Sequence, residues 1–281
     1  MPHTVQLLVH GATYTRVAWD WPQSPATYSY VRAAVNAGYA TFAIDRLGHG
    51  ESDHPAANNL TMQLGSVVIH GVVTALRNGA LGGTAFTKVV FVGTSLGAVQ
   101  AYEYSGHYTD INAYVLFGSM HMLKTSWINM FQSDLQPLPS DPNSGYLTTI
   151  PGTRGSLFFN TATADPAVIS QDEALKDTIT AGEINSAIPL VSVAPASSPT
   201  QNITVPVLIA MGQFDNIVCG GPDGITCTVS AIQSFEQPYF THAASLTVQV
   251  TATSGHLLSE HPTAPTAHTN VINWIKGVAL P

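Results

Sequence analysis

Four short apolar runs, at residues 4–9, 39–44, 88–92 and 111–117, alternate with segments of helical character along the first 117 residues. Runs that stay apolar at nearly every position lack the alternation of a half-exposed strand, so each reads as a strand buried on both faces. Strands that alternate with helices predict right-handed crossovers and a mostly parallel sheet covered on both sides. Residues 28–36 are helical in character and Gly38 ends that helix. Thr61 can cap a longer helix in which Leu64, Val68, Val72 and Leu76 recur every four residues, with Val67, Ile69 and Val73 widening the face. The alternation breaks at residues 118–204, which are rich in Pro, Ser, Thr and Gly, with helix-like pieces near 127–131 and 165–184. Strands resume at 205–211 and 246–250, and a helix closes the chain near 266–278. The expected organisation is a core of residues 1–117 and 205–281 interrupted by an inserted cap, 118–204.

The 281 residues suffice for one large α/β domain with such an insertion. Only 9% of residues are charged against 45% hydrophobic, which excludes disorder over most of the length. With 9 basic residues against 17 acidic ones and no Lys/Arg cluster, the chain has no surface for tracking phosphates, so nucleic acid is not its partner. No apolar run approaches the roughly 18 residues needed to span a bilayer. The N-terminus reads Met1-Pro2-His3-Thr4, with no signal-peptide pattern. Few lysines, sequons at Asn59 and Asn202, and the neighbouring Cys219 and Cys227 nevertheless suit a secreted or otherwise extracytoplasmic protein.

Chemistry concentrates in Val89-Val90-Phe91-Val92-Gly93-Thr94-Ser95-Leu96-Gly97-Ala98. A Gly-x-Ser-x-Gly match alone is weak, but here it follows an apolar strand and opens a helix. That context is the one a nucleophile elbow requires: a sharp turn exposes the hydroxyl, and the neighbouring backbone leaves room only for glycine. Ser95 is the expected nucleophile. A neutral hydroxyl attacks poorly, so a base must lie within reach and a carboxylate must orient it. Gly212-Gln213-Phe214-Asp215 places an acid at the C-terminal end of one strand, and Ser254-Gly255-His256 places a histidine after the next. Among the histidines, including His10, His49, His70, His107, His121, His242, His261 and His268, only His256 combines a preceding strand, a Gly-His turn and the order Ser, Asp, His. Asp223, the nearest rival to Asp215, lies in a glycine-rich excursion. Two backbone amides are expected to receive the oxyanion: that of Leu96, after the nucleophile, and that of Ala12, with Thr13 as the alternative, in the loop after the first strand.

Gly-Thr-Ser95-Leu-Gly, the early Val-His-Gly-Ala, Asp45-Arg46-Leu47-Gly48-His49-Gly50-Glu51-Ser52, Gly-Gln-Phe-Asp215 and Ser-Gly-His256 together resemble the α/β-hydrolase superfamily of serine hydrolase and esterase type. The resemblance spans nearly the whole chain. It implies an α/β-hydrolase fold, a mostly parallel sheet flanked by helices, with a Ser95–Asp215–His256 triad and a two-amide oxyanion hole. The Asp45–Ser52 loop would shape the fold and the pocket rim rather than join the chemistry. One departure is that the oxyanion loop begins at residue 10, so this sequence lacks the two strands and hairpin that many members carry before it; they either never existed here or were trimmed.

Serine at the elbow argues against the dehalogenase and epoxide hydrolase branches, which resemble this fold but carry Asp there. Leu257 stands where plant cyanohydrin lyases typically carry Lys. The expected reaction is therefore hydrolysis of a carboxylic ester or lactone of a neutral, largely apolar small molecule, with a thioester substrate, or a ligand receptor on the same fold, as alternatives. Tyr14, Trp19, Met120 and Trp127 are candidate pocket residues, while Lys124 and Arg154 are expected to be solvated, with binding of a carboxylate as the alternative. A Cys219–Cys227 disulfide would steady the turn carrying Asp215. No metal or cofactor is implied, because two cysteines without a matched His/Cys pair do not complete a zinc site.

Overall fold

The computed structural model describes residues 3–278; the outermost residues of the expected core range, 1–2 and 279–281, lie outside it. Nine strands are formed among the described residues: β1 (Thr4–Val9), β2 (Ala40–Ile44), β3 (Lys88–Thr94), β4 (Ala113–Phe117), β5 (Leu135–Pro137), β6 (Tyr146–Thr149), β7 (Ile179–Thr180), β8 (Val207–Gly212) and β9 (Leu246–Thr251). Six of them build one parallel sheet in the order β2-β1-β3-β4-β8-β9. The period of two along each strand divides the apolar runs between two cores. Leu7, Phe91, Leu116 and Ile209 pack on one face, under the helices Met62–Asn78 and Leu96–Ser105. Leu8, Val90, Val115 and Leu208 pack on the other, under Tyr30–Asn36 and Ala264–Val278. Continuous hydrophobicity is thus the signature of a strand with two covered faces.

β2 is not a fully buried strand: it forms the sheet edge, pairs only with β1 among the described strands, and is half-buried along its length. In the Met62–Asn78 helix the buried face runs through Met62, Ser66, Ile69, Val73 and Leu76, while Val67 and Val68 are 54% and 39% exposed. A strict four-residue repeat drifts about 40° per step around a helix of 3.6 residues per turn, whereas alternating steps of four and three hold one face.

Between β4 and β8 the chain leaves the large sheet. β5, β6 and β7 pair as a small antiparallel sheet, with helices at Thr125–Ser133, Arg154–Phe158, Pro166–Leu175 and Ala181–Ser192. The helix-like stretch at 165–184 is in fact two helices. Asp165 caps the first, and Thr180 starts the second through a reciprocal capping box with Glu183. The break between them carries Asp177 and Thr178, which bond to the loop after β1: Asp177 N–H donates to Thr13 O at 2.9 Å, and Thr13 N–H to Thr178 O at 3.1 Å. No helix among the described residues is long and apolar enough to cross a membrane.

The closing helix carries a buried histidine, His268, set edge-on against Tyr30 at 5.2 Å and within 3.0 Å of Ser259 Oγ. Burial pushes its pKa down to about 3. A group whose folded pKa is depressed below the unfolded value stabilises the fold above the unfolded pKa and loses that contribution as pH falls. Urea unfolding at pH 7 and pH 5 should therefore differ by about 2 kcal/mol from this group alone. A His268→Leu variant should lose that increment, and an unchanged pH slope would contradict the assignment.

Candidate active site

Ser95 sits between β3 and the Leu96–Ser105 helix with φ 53° and ψ −122°, a conformation rare for a residue with a side chain. Three segments hold it there. Ser95 N–H donates to Phe117 O at 2.8 Å, and Ser95 O accepts from Ala98 N–H at 2.8 Å. The flanking glycines are required by space: a Cβ on Gly97 would lie 2.2 Å from Val9 O, and one on Gly93 would lie 2.4 Å from Gly97 O. Strand β1, the elbow and the helix therefore approach as only bare backbone allows.

Asp215 and His256 reach the site from the ends of β8 and β9. A Cβ on Gly212 would lie 2.0 Å from Gly255 O, so the glycine in Gly-Gln-Phe-Asp lets the two loops touch. Asp215 is fully buried; its Oδ1 accepts from Ile217 N–H at 2.9 Å and its Oδ2 lies 2.8 Å from His256 Nδ1. That contact places the ring proton on Nδ1, where it donates to the carboxylate, and leaves Nε2 as an acceptor. His256 Nε2 is buried and has no partner among the described residues. His261 braces this loop, its Nε2 accepting from Gly255 N–H and Asn160 N–H, both at 3.1 Å. The other histidines are engaged elsewhere: His121 stacks between Tyr102 and Tyr239 and pairs with Glu236, and His49 pairs with Glu183.

Of the expected oxyanion donors, Ala12 N–H and Leu96 N–H have no acceptor among the described residues. Thr13 N–H, the alternative, is taken by Thr178 O. Gly11 lies close enough to Ser95 that an added Cβ would sit 3.0 Å from the serine Cβ, which puts this loop against the elbow.

Ser95, His256, Ala12 and Leu96 share the wall of one cavity of about 90 Å³, closed by Val99, Leu123, Trp127, Phe131, Ile184 and Val191. Of the four pocket candidates, Trp127 lines this cavity. Tyr14 and Trp19 border a smaller one of about 20 Å³ on another side of Ser95, and Met120 is fully buried outside both. The aliphatic lining from the Ala181–Ser192 helix carries no sequence signal of its own, because aliphatic residues on a helix look the same whether they pack a core or face a ligand. Arg154 is not solvated: it is fully buried, forks onto Asp172 and lies over the Tyr14 and Phe158 rings. Lys124 Nζ donates to Cys219 O at 3.2 Å. Asp223, the rival acid, instead bonds Ser126 at the exposed surface.

Cys219 and Cys227 are joined in a disulfide just beyond Asp215, and Cys219 N–H donates to Asp215 O at 2.7 Å. Opening so short a loop should cost about 2–3 kcal/mol, chiefly through the unfolded state. Melting with and without a thiol reductant checks this, and equal melting temperatures would contradict it.

The model of the alpha/beta hydrolase family matches residues 6–269. No curated protein sequence matches the chain. Solved structures similar in fold include a methylesterase from Arabidopsis, with a TM-score of 0.66 at 14% identity, covering 98% of this chain and 100% of that one. A thermophilic esterase from Thermogutta terrifontis has a TM-score of 0.64 at 18% identity, over 98% of this chain and 90% of that one. An esterase from Exiguobacterium antarcticum has a TM-score of 0.64 at 19% identity, over 97% and 92%. With the parallel sheet, the elbow and a family match over nearly its whole length, the chain belongs to the alpha/beta hydrolase family.

Proposed function

We propose that this protein is a serine hydrolase that cleaves a carboxylic ester or lactone of a neutral, largely apolar substrate through an acyl-enzyme on Ser95. The observation that carries the reading is the Asp215–His256 hydrogen bond of 2.8 Å, with the opposite ring nitrogen unpartnered in a cavity shared with Ser95. His256 Nε2 takes the Ser95 proton as Oγ attacks the carbonyl carbon, and Asp215 stabilises the imidazolium. The amides of Ala12 and Leu96 receive the oxyanion. The imidazolium then protonates the departing alkoxide, and the same base activates a water that hydrolyses the acyl-enzyme and restores Ser95.

The lining supplies no charged side chain and little room. An apolar cavity of roughly 150 Å³ holds a benzene, so a cavity near 90 Å³ suits an acyl group of a few carbons. A turnover panel of acyl esters of graded length, aryl esters, thioesters and lactones tests the reading. Neutral short-chain esters or lactones should be cleaved, with kcat/KM falling beyond about four acyl carbons. Absence of turnover in every class would overturn the hydrolase reading and favour a ligand receptor. The Cys219–Cys227 disulfide and the exposed sequon residues Asn59 and Asn202 support a location outside the reducing cytoplasm. Thiol labelling of protein taken from its native cells checks that, since two reactive thiols would oppose it.

A further inference from the structure

The peptide between Gly11 and Ala12 is held by its carbonyl. Gly11 O lies 2.8 Å from His10 Nδ1 and accepts from Arg46 Nη2 at 3.3 Å. His10 cannot turn this around, because its Nε2 accepts the Arg46 backbone N–H at 2.9 Å, which leaves the ring proton on Nδ1 to donate to Gly11 O. Burial, with Arg46 and His49 nearby, holds the His10 pKa well below its ordinary value, so the ring stays neutral. Arg46 Nε also donates to His10 O at 3.1 Å. A planar trans peptide points its N–H opposite its C=O. Fixing Gly11 O from behind therefore fixes the direction of Ala12 N–H.

Arg46 is anchored in turn. Its Nη1 donates to Glu183 Oε1 at 2.7 Å, and both side chains are buried. Burial pushes the Glu183 carboxyl up, but Arg46 and then His49 overcome it and hold the pKa at about 2. Glu183 also closes the capping box of the Ala181–Ser192 helix, whose Ile184, Ala187, Ile188 and Val191 line the cavity at Ser95.

We propose that Arg46, braced by Glu183 and acting with His10, is a positioning residue that orients the Gly11–Ala12 peptide toward the reacting carbonyl and couples it to the helix lining the substrate cavity. The proposal rests on the acyl-enzyme reading. It gives the Asp45-Arg46 loop a role in transition-state stabilisation beyond shaping the pocket rim.

The test compares wild type with Arg46→Met, Arg46→Lys, His10→Phe and Arg46→Met/Glu183→Leu, each normalised to the fraction of molecules that a fluorophosphonate titrates. The double variant removes both buried charges, so it keeps the test open where Arg46→Met alone fails to fold. Because removing one oxyanion donor commonly costs about 10²–10³ in kcat, loosening that donor should cost about 10–10² with KM changed less than about threefold. Affinity for a boronic acid, which mimics the tetrahedral adduct, should fall by the same factor, and Arg46→Lys should recover part of the loss. A merely structural role would lower the titrated fraction and leave kcat per titrated site unmoved; that result in His10→Phe and the double variant overturns the proposal. Crystal structures of the variants provide an arm independent of turnover. A rotated Gly11–Ala12 peptide is expected, and an unchanged one overturns the proposal even where wild type itself proves inactive and the hydrolase reading fails.

Discussion

Ser95→Ala should remove essentially all ester hydrolysis, with a loss in kcat on the order of 10⁶ and a remainder set by the oxyanion amides and binding alone. No covalent intermediate can form on a methyl group, and the two-step route is lost outright. The fold should persist, because the Ser95 backbone is held by Phe117 O and Ala98 N–H rather than by its side chain. Ser95→Gly separates strain from chemistry. The serine holds φ at 53°, a region open to glycine, so the glycine variant should be as inactive as the alanine variant yet more stable by about 1 kcal/mol. Residual turnover above about 1% in both variants would place the nucleophile elsewhere.

Replacing His256 by Ala should cost at least about 10³ in kcat, and Asp215→Asn about 10⁴, because triad members act as a unit and the amide would favour the wrong ring tautomer. The physical reason lies in the 2.8 Å contact: a carboxylate accepts the Nδ1 proton, while an Asn amide can present its own N–H there and push that proton to Nε2.

Much of the fold was legible because it rests on local signals. Short apolar runs marked most strands of the large sheet, and the Ser95 elbow was legible because Gly93 and Gly97 answer a purely steric demand. Asp215 and His256 could be located because chain order and strand ends predict where loops converge. What was not legible depends on partners far away in sequence. Arg46 meets Glu183 across 137 positions, and nothing near either residue announces the pair. Arg154 reads as a surface cation until Asp172 and the loop after β1 close around it. Tyr14, Trp19 and Met120 read as pocket residues because they are large and stand beside the site motifs, whereas the lining is largely aliphatic, with Ile184, Ala187, Ile188 and Val191 contributed by the distant Ala181–Ser192 helix. The edge position of β2 likewise follows from which strands pair, a property that the hydrophobicity of Ala40–Ile44 does not encode.

Acylation of Ser95 by attack assisted through His256 is tested most directly by intact-mass and peptide-level mass spectrometry of the folded protein after reaction with a fluorophosphonate, in wild type and His256→Ala. One adduct per chain is expected, mapped to Ser95 in wild type, with labelling slowed by orders of magnitude in the variant. An adduct on another residue, or no adduct in a preparation that turns over esters, would contradict it.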